Sequence, residues 1–98
     1  MAGPKRKFEQ TIEAVVKQRL PGVAIEAVES VPALDHDGDP VIWVTVIYDP
    51  EVKKPPVDRM LGMARHIQSA LKGKYSDSFP ILSYMSKADA EARDRRPV

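Results

Sequence analysis

The chain has 98 residues, 43% of them apolar and 30% charged, with a formal charge of +1 and no cysteine. That length supplies one core and one domain, and the near balance of charge withholds the excess of Lys and Arg by which strongly basic proteins hold nucleic acid. Without cysteine there are no disulfides, zinc–cysteine sites, iron–sulfur clusters or thiol nucleophiles, and a short chain lacking such staples is expected in the reducing cytoplasm.

The first predicted element is a helix from Lys5 to Leu20. Phe8, Ile12, Val15, Val16 and Leu20 recur three and four residues apart, which gathers them into one stripe. Glu9, Glu13, Lys17 and Arg19 take the other side, and Pro21-Gly22 ends the helix. The basic residues Lys5-Arg6-Lys7 lead into this amphipathic stretch and not into an apolar run, unlike a signal peptide.

From Val23 to Val31 the period changes to two, with Val23, Ile25 and Ala27 alternating with Ala24, Glu26 and Val28, and the phase is lost near Glu29. Pro32 to Pro40 holds the turn formers Asp35-His36-Asp37-Gly38-Asp39 and is expected to be a long, mobile hairpin loop. Val41 to Tyr48 is β-branched or aromatic throughout and is the strongest predicted strand. It is far too short to span a membrane as a helix.

A linker from Glu51 to Pro56 precedes a second predicted helix, Val57 to Lys72, with Val57, Met60, Leu61, Ala64, Ile67 and Leu71 as its buried stripe and Gly73 as its C-terminal cap. Phe79 to Met85 reads as a third strand, and Pro80 places it at an edge. Residues 1–86 therefore form the domain, and residues 87–98 form a charged tail. Ser86 and Asp89 have capping-box spacing, but the segment lacks an apolar stripe and is expected to fray. The fold class is α+β, a small α-β-β-α-β domain whose three-stranded mixed sheet carries two helices on one face.

Side chains alternate across a sheet, so if Ile42, Val44, Val46 and Tyr48 face the helices, then Val41, Trp43, Thr45 and Ile47 face away. The third strand is apolar on both faces as well. Two helices cover one face only, which leaves Val41, Trp43, Ile47 and Tyr84 as candidate partner-binding residues for a second copy or another protein. The alternative cover is the C-terminal segment.

No catalytic constellation is apparent. Asp35-His36-Asp37-Gly38-Asp39 looks like part of a calcium loop, but an EF-hand starting at Asp35 needs glycine where Pro40 stands and glutamate where Val46 stands. His66 has no evident orienting carboxylate or nucleophile, and no glycine-rich phosphate loop exists. A non-catalytic interaction protein without cofactor or metal is the expectation. The alternative is RNA binding through a basic helix face formed by Arg59, Arg65, His66, Lys72 and Lys74, joined by Lys5, Arg6 and Lys7.

The α-β-β-α-β order resembles the KH type II arrangement and ribosome-binding factor A, a likeness that implies RNA binding. The KH backbone clamp Gly-x-x-Gly is absent, since Gly22, Gly62 and Gly73 have no glycine three residues away. Asp37-Gly38-Asp39-Pro40 before an apolar strand and Phe79-Pro80-Ile81 near the end resemble short bacterial proteins of unassigned activity. That resemblance implies a small accessory or antitoxin-like subunit working through a protein partner.

Overall fold

A computed structural model describes residues 5–95. The helical period of the first segment produces α1 (Lys7–Arg19), whose Phe8, Ile12 and Val16 are buried with Leu20 just beyond its end. Its first turn is closed by Glu9, which accepts from the Arg6 backbone N–H at 2.9 Å. On the outer side Glu13 lies 3.0 Å from Lys5 and 3.6 Å from Lys17. The Lys5 hydrogen bond holds the Glu13 carboxyl below its ordinary pKa.

Three strands follow the period-two segments: β1 (Ala24–Leu34), β2 (Pro40–Asp49) and β3 (Phe79–Ser86), in the spatial order β1-β2-β3. β1 runs antiparallel to β2, and β3 runs parallel to it, so the sheet is mixed and β3 is an edge. A bulge falls between Ile25 and Ala27, which pair with the consecutive residues Tyr48 and Ile47. The extra residue, Glu26, flips the strand's phase, so Ala27 faces opposite to Ile25 rather than continuing the early alternation.

The expected mobile loop is much shorter. β1 keeps its pairing as far as Leu34 opposite Pro40, with Pro32 accommodated on an edge strand. Only the turn at Asp35–Asp39 remains, and it is tightly bonded. Asp35 Oδ1 accepts from the N–H groups of Asp37 and Asp39, both at 2.9 Å, and the Asp35 N–H donates to the Asp39 carbonyl at 2.9 Å.

The predicted second helix is broken. One turn, α2 (Val57–Met60), is separated from α3 (Met63–Ala70) by Leu61-Gly62, with Gly62 at φ +79°. The break rephases the apolar stripe: Met63, Ile67 and Leu71 are buried, whereas Val57 and Leu61 are exposed. Carbonyls freed by the break find donors elsewhere. Arg19 Nη2 donates to Arg59 O at 3.2 Å and Leu61 O at 3.5 Å, and the Tyr84 hydroxyl donates to Met60 O at 3.4 Å. A 3-10 turn (Gly73–Tyr75) then leads to β3.

Gly62 offers a clean test of the break, because a Cβ there would meet nothing within 4 Å. The cost of Gly62→Ala is therefore the left-handed backbone alone, about 1–2 kcal/mol, read from a urea melt. A change within about 0.5 kcal/mol, as at an ordinary surface position, would show that the chain does not hold this conformation.

The tail expectation needs the largest correction. Lys87–Asp94 forms a helix, α4, started by Ser86 Oγ accepting from the Asp89 N–H at 3.2 Å. It lacks an apolar stripe, yet Ala90 is buried and Arg93 makes two 3.0 Å bonds to the Glu29 carboxylate. Cross-element bonds replace the missing stripe. Residues 96–98 of the expected tail lie outside the described residues.

Register defines both faces. Ile42, Val44, Val46 and Tyr48 share a face with Val28, Ser30 and Pro32 of β1 and with Pro80, Leu82 and Tyr84 of β3. This face packs against α1 and α3 around Ile12, Val16, Ile42, Val44, Val46, Met63 and Ile67. Val41, Trp43, Thr45 and Ile47 face the other way with Val31, Glu29, Ala27, Phe79, Ile81 and Met85. Since α4 packs against β2 and β3 and reaches Glu29, it lies on this second face. Among the described residues no helix is long and apolar enough to cross a membrane.

Candidate functional site

The second face is half covered. At the α4 end Ile47 is only 6% exposed, and Val41, between its cross-strand neighbours Ala33 and Phe79, is 4% exposed. Both candidates leave the accessible surface, because this chain supplies its own cover. Tyr84 leaves it for a different reason: it lies on the helix face, partly buried, with its hydroxyl bound to Met60 O. Burial raises its pKa, so the phenol stays a donor.

Trp43 remains, 48% exposed, in a row with Val31 at 57% on one side and Ile81 on the other. Phe79, 52% exposed, is the next apolar neighbour on β3. This open half of the sheet is bounded by α4 at one end and by the acidic Asp35–Asp39 turn at the other. Ala88 and Ala92, four residues apart on α4, are exposed, while Ala90 between them is buried. Glu91 and Arg95, paired at 3.2 Å, share that outward stripe, so the outer side of the helix is small in bulk and mixed in character.

The basic residues distribute differently from the expected single face. Lys72 and Lys74 join Arg6 and Lys7 around a cleft of about 690 Å³ between the start of α1 and the 3-10 turn, with Phe8, Thr11, Ala70, Leu71, Gly73 and Tyr75 completing it. The Phe8 and Tyr75 rings lie 4.2 Å apart. The Arg6 guanidinium sits 5.0 Å from the Phe8 centroid, and Lys74 Nζ sits 5.4 Å from that of Tyr75. Arg6 is also paired with Glu9 at 3.4 Å, whereas Lys7, Lys72 and Lys74 make no ion pair among the described residues.

Arg59 and His66 line a second groove, of about 430 Å³, with Val15, Gln18, Arg19, Ser69 and Ala70. Arg65 is exposed and lines neither groove. No carboxylate lines the groove beside His66 and Ser69, so no acid–His–Ser relay is assembled there. In the hairpin turn one carboxylate oxygen each from Asp35, Asp37 and Asp39 lies within 4.8 Å of the others. One Asp35 oxygen is already committed to two backbone N–H groups, and Asp37 and Asp39 are exposed.

Sequence reading missed the cleft because its walls are 67 positions apart in the chain for Phe8 and Tyr75. Phe8 belongs to a core stripe and Tyr75 to a loop, and only the antiparallel packing of α1 on α3 joins them. The chain is therefore a small α+β domain with two surface features, an open apolar half-face and a basic aromatic cleft. Comparison with protein-family models, curated proteins and solved structures finds no match.

Proposed function

We propose that the protein is a non-catalytic interaction subunit that pairs with a second copy of itself through the open half of the sheet around Trp43. The observation that carries this reading is the row Val31–Trp43–Ile81 with Phe79 beside it, where three large apolar side chains are each about half exposed. Each is already about half buried, so covering the remainder contributes about half of the 1.5–3 kcal/mol of full burial, roughly 1 kcal/mol per side chain on each copy, against an association cost that starts near 4 kcal/mol. The balance favours a weak, concentration-dependent pair.

A second copy fits for reasons of charge and shape. A two-fold axis running across the strands sets α4 of each copy over the open half of the other, where Ala88 and Ala92 allow close approach. An axis along the strands would instead stack the two acidic turns on each other, each with three aspartates. A formal charge of +1 adds little long-range repulsion.

Trp43 is the only tryptophan, so its emission reports the surface directly. Size-exclusion with light scattering is expected to show wild type shifting from monomer to dimer with concentration, with a blue shift of the indole emission. Trp43→Asp should stay monomeric with unchanged circular dichroism. A wild-type monomer at high micromolar concentration with a solvated indole would defeat the reading.

The second reading is RNA binding on the helix side. Arg6, Lys7, Arg19, Arg59, Lys72 and Lys74 line the two grooves, no acidic side chain lines either, and Ala70 belongs to both. Glu9 compensates Arg6, but Lys7, Lys72 and Lys74 have no ion-pair partner among the described residues, and this local excess of cation favours a polyanion there.

A further inference from the structure

We infer that the cleft between α1 and the 3-10 turn is a binding site for a nucleoside polyphosphate. The inference is independent of the pairing surface, which lies on the opposite side of the sheet.

The cleft's two chemistries lie next to each other. Its floor is apolar, made of the partly exposed Tyr75 and Ala70 backed by the buried Phe8 and Leu71, while Arg6, Lys7, Lys72 and Lys74 bring four cations to it. With Arg6 shared with Glu9, the three lysines are the cations of the cleft that have no ion-pair partner among the described residues. A bare anion would satisfy the lysines but leave the apolar floor wet. A neutral planar molecule would cover the floor and leave the cations unused. A ligand with a flat heteroaromatic end and a chain of phosphates matches both, and about 690 Å³ lies within the usual range for small-molecule sites, roughly 300–1,000 Å³.

Two of the four charges are also biased toward the cleft before any ligand arrives. Arg6 over Phe8 at 5.0 Å and Lys74 over Tyr75 at 5.4 Å are held by attraction to the ring faces. Fixing these long side chains in advance reduces the entropy lost on binding. The Phe8–Tyr75 contact at 4.2 Å joins the two walls of the cleft.

Isothermal titration at low salt tests this with ATP, adenosine, inorganic tripolyphosphate and an oligouridylate as probes. ATP is expected to bind in a salt-sensitive way, with adenosine and tripolyphosphate each at least about tenfold weaker. Lys72→Glu/Lys74→Glu should weaken ATP by at least about tenfold, while Lys54→Glu, exposed and outside the cleft, and Trp43→Asp should bind like wild type. Amide shifts of Gly73 and Lys74 in wild type on adding ATP give a readout that needs no variant. Tripolyphosphate binding as tightly as ATP would reduce the cleft to a general anion patch and overturn the inference. So would oligouridylate binding without ATP binding, which would favour an RNA strand, and so would the absence of any ATP binding or amide shift.

Discussion

Ile42→Ala is expected to destabilise the domain by about 2–5 kcal/mol, the largest single-residue effect anticipated. Ile42 is fully buried on the central strand, where both ladders meet and the helices pack. Its cross-strand neighbours on the core face are Pro32 and Pro80, rings with little freedom to swing into a vacated space. The cavity left by alanine should therefore stay largely open, which puts the cost toward the upper part of the range. A domain of this size has a total stability of only about 5–15 kcal/mol, so much of it is at stake. Urea unfolding should show a lower midpoint at unchanged slope. Val31→Ala on the exposed face, measured beside it, should fall within about 0.5 kcal/mol of wild type. A loss under about 1.5 kcal/mol for Ile42→Ala, the size of a well-tolerated core exchange, would mean that the sheet and helices are less tightly packed than described.

The contrast between Ile42 and Val31 shows which parts of the fold are legible from sequence. α1 carries an unbroken 3.6 period in Phe8–Leu20 that locates its own buried side, whereas Val41–Tyr48 declares a strand by its β-branched and aromatic content but, apolar on both faces, does not say which side the helices cover. Element order and the mixed sheet follow from them. Local exceptions are harder to read. Glu26 makes a bulge and Gly62 breaks a helix without any proline nearby. Each is stabilised by distant partners, the helix break by Arg19 and Tyr84, which no window of neighbouring residues includes. The cover over Ile47 has the same character. α4 is held by Arg93 on Glu29, 64 residues away, and by Lys87, 4.0 Å from Glu26. The excess of apolar strand surface over helix surface was legible; how the chain divides it between its own last helix and solvent was not. Of the candidate surface residues only Trp43 stays accessible, and the cleft became visible only once Lys72 and Lys74 were seen beside Phe8 and Tyr75.

Removing residues 87–98 is expected to have the second largest effect, and it separates cover within the chain from cover by a partner. Without α4, Ile47 is exposed on the sheet with Met85 beside it, and losing the burial of Ile47 costs about 1.5–3 kcal/mol. Glu29 also loses its bidentate partner. The truncated chain should melt lower, bind a hydrophobic dye and form larger assemblies, because a second apolar patch at Ile47 and Met85 then opens on the face that already exposes Phe79 and Trp43, with the Glu29–Thr45–Ser83 row between them. The two-fold pair should disappear as well, since in the proposed arrangement each α4 lies over its neighbour's open half. Loss of stability together with replacement of the dimer by larger species supports both roles for α4. Unchanged stability would show that the helix does not shelter Ile47. A truncated chain that still pairs as a clean dimer would move the contact off α4 and leave Trp43 alone to hold the two copies together.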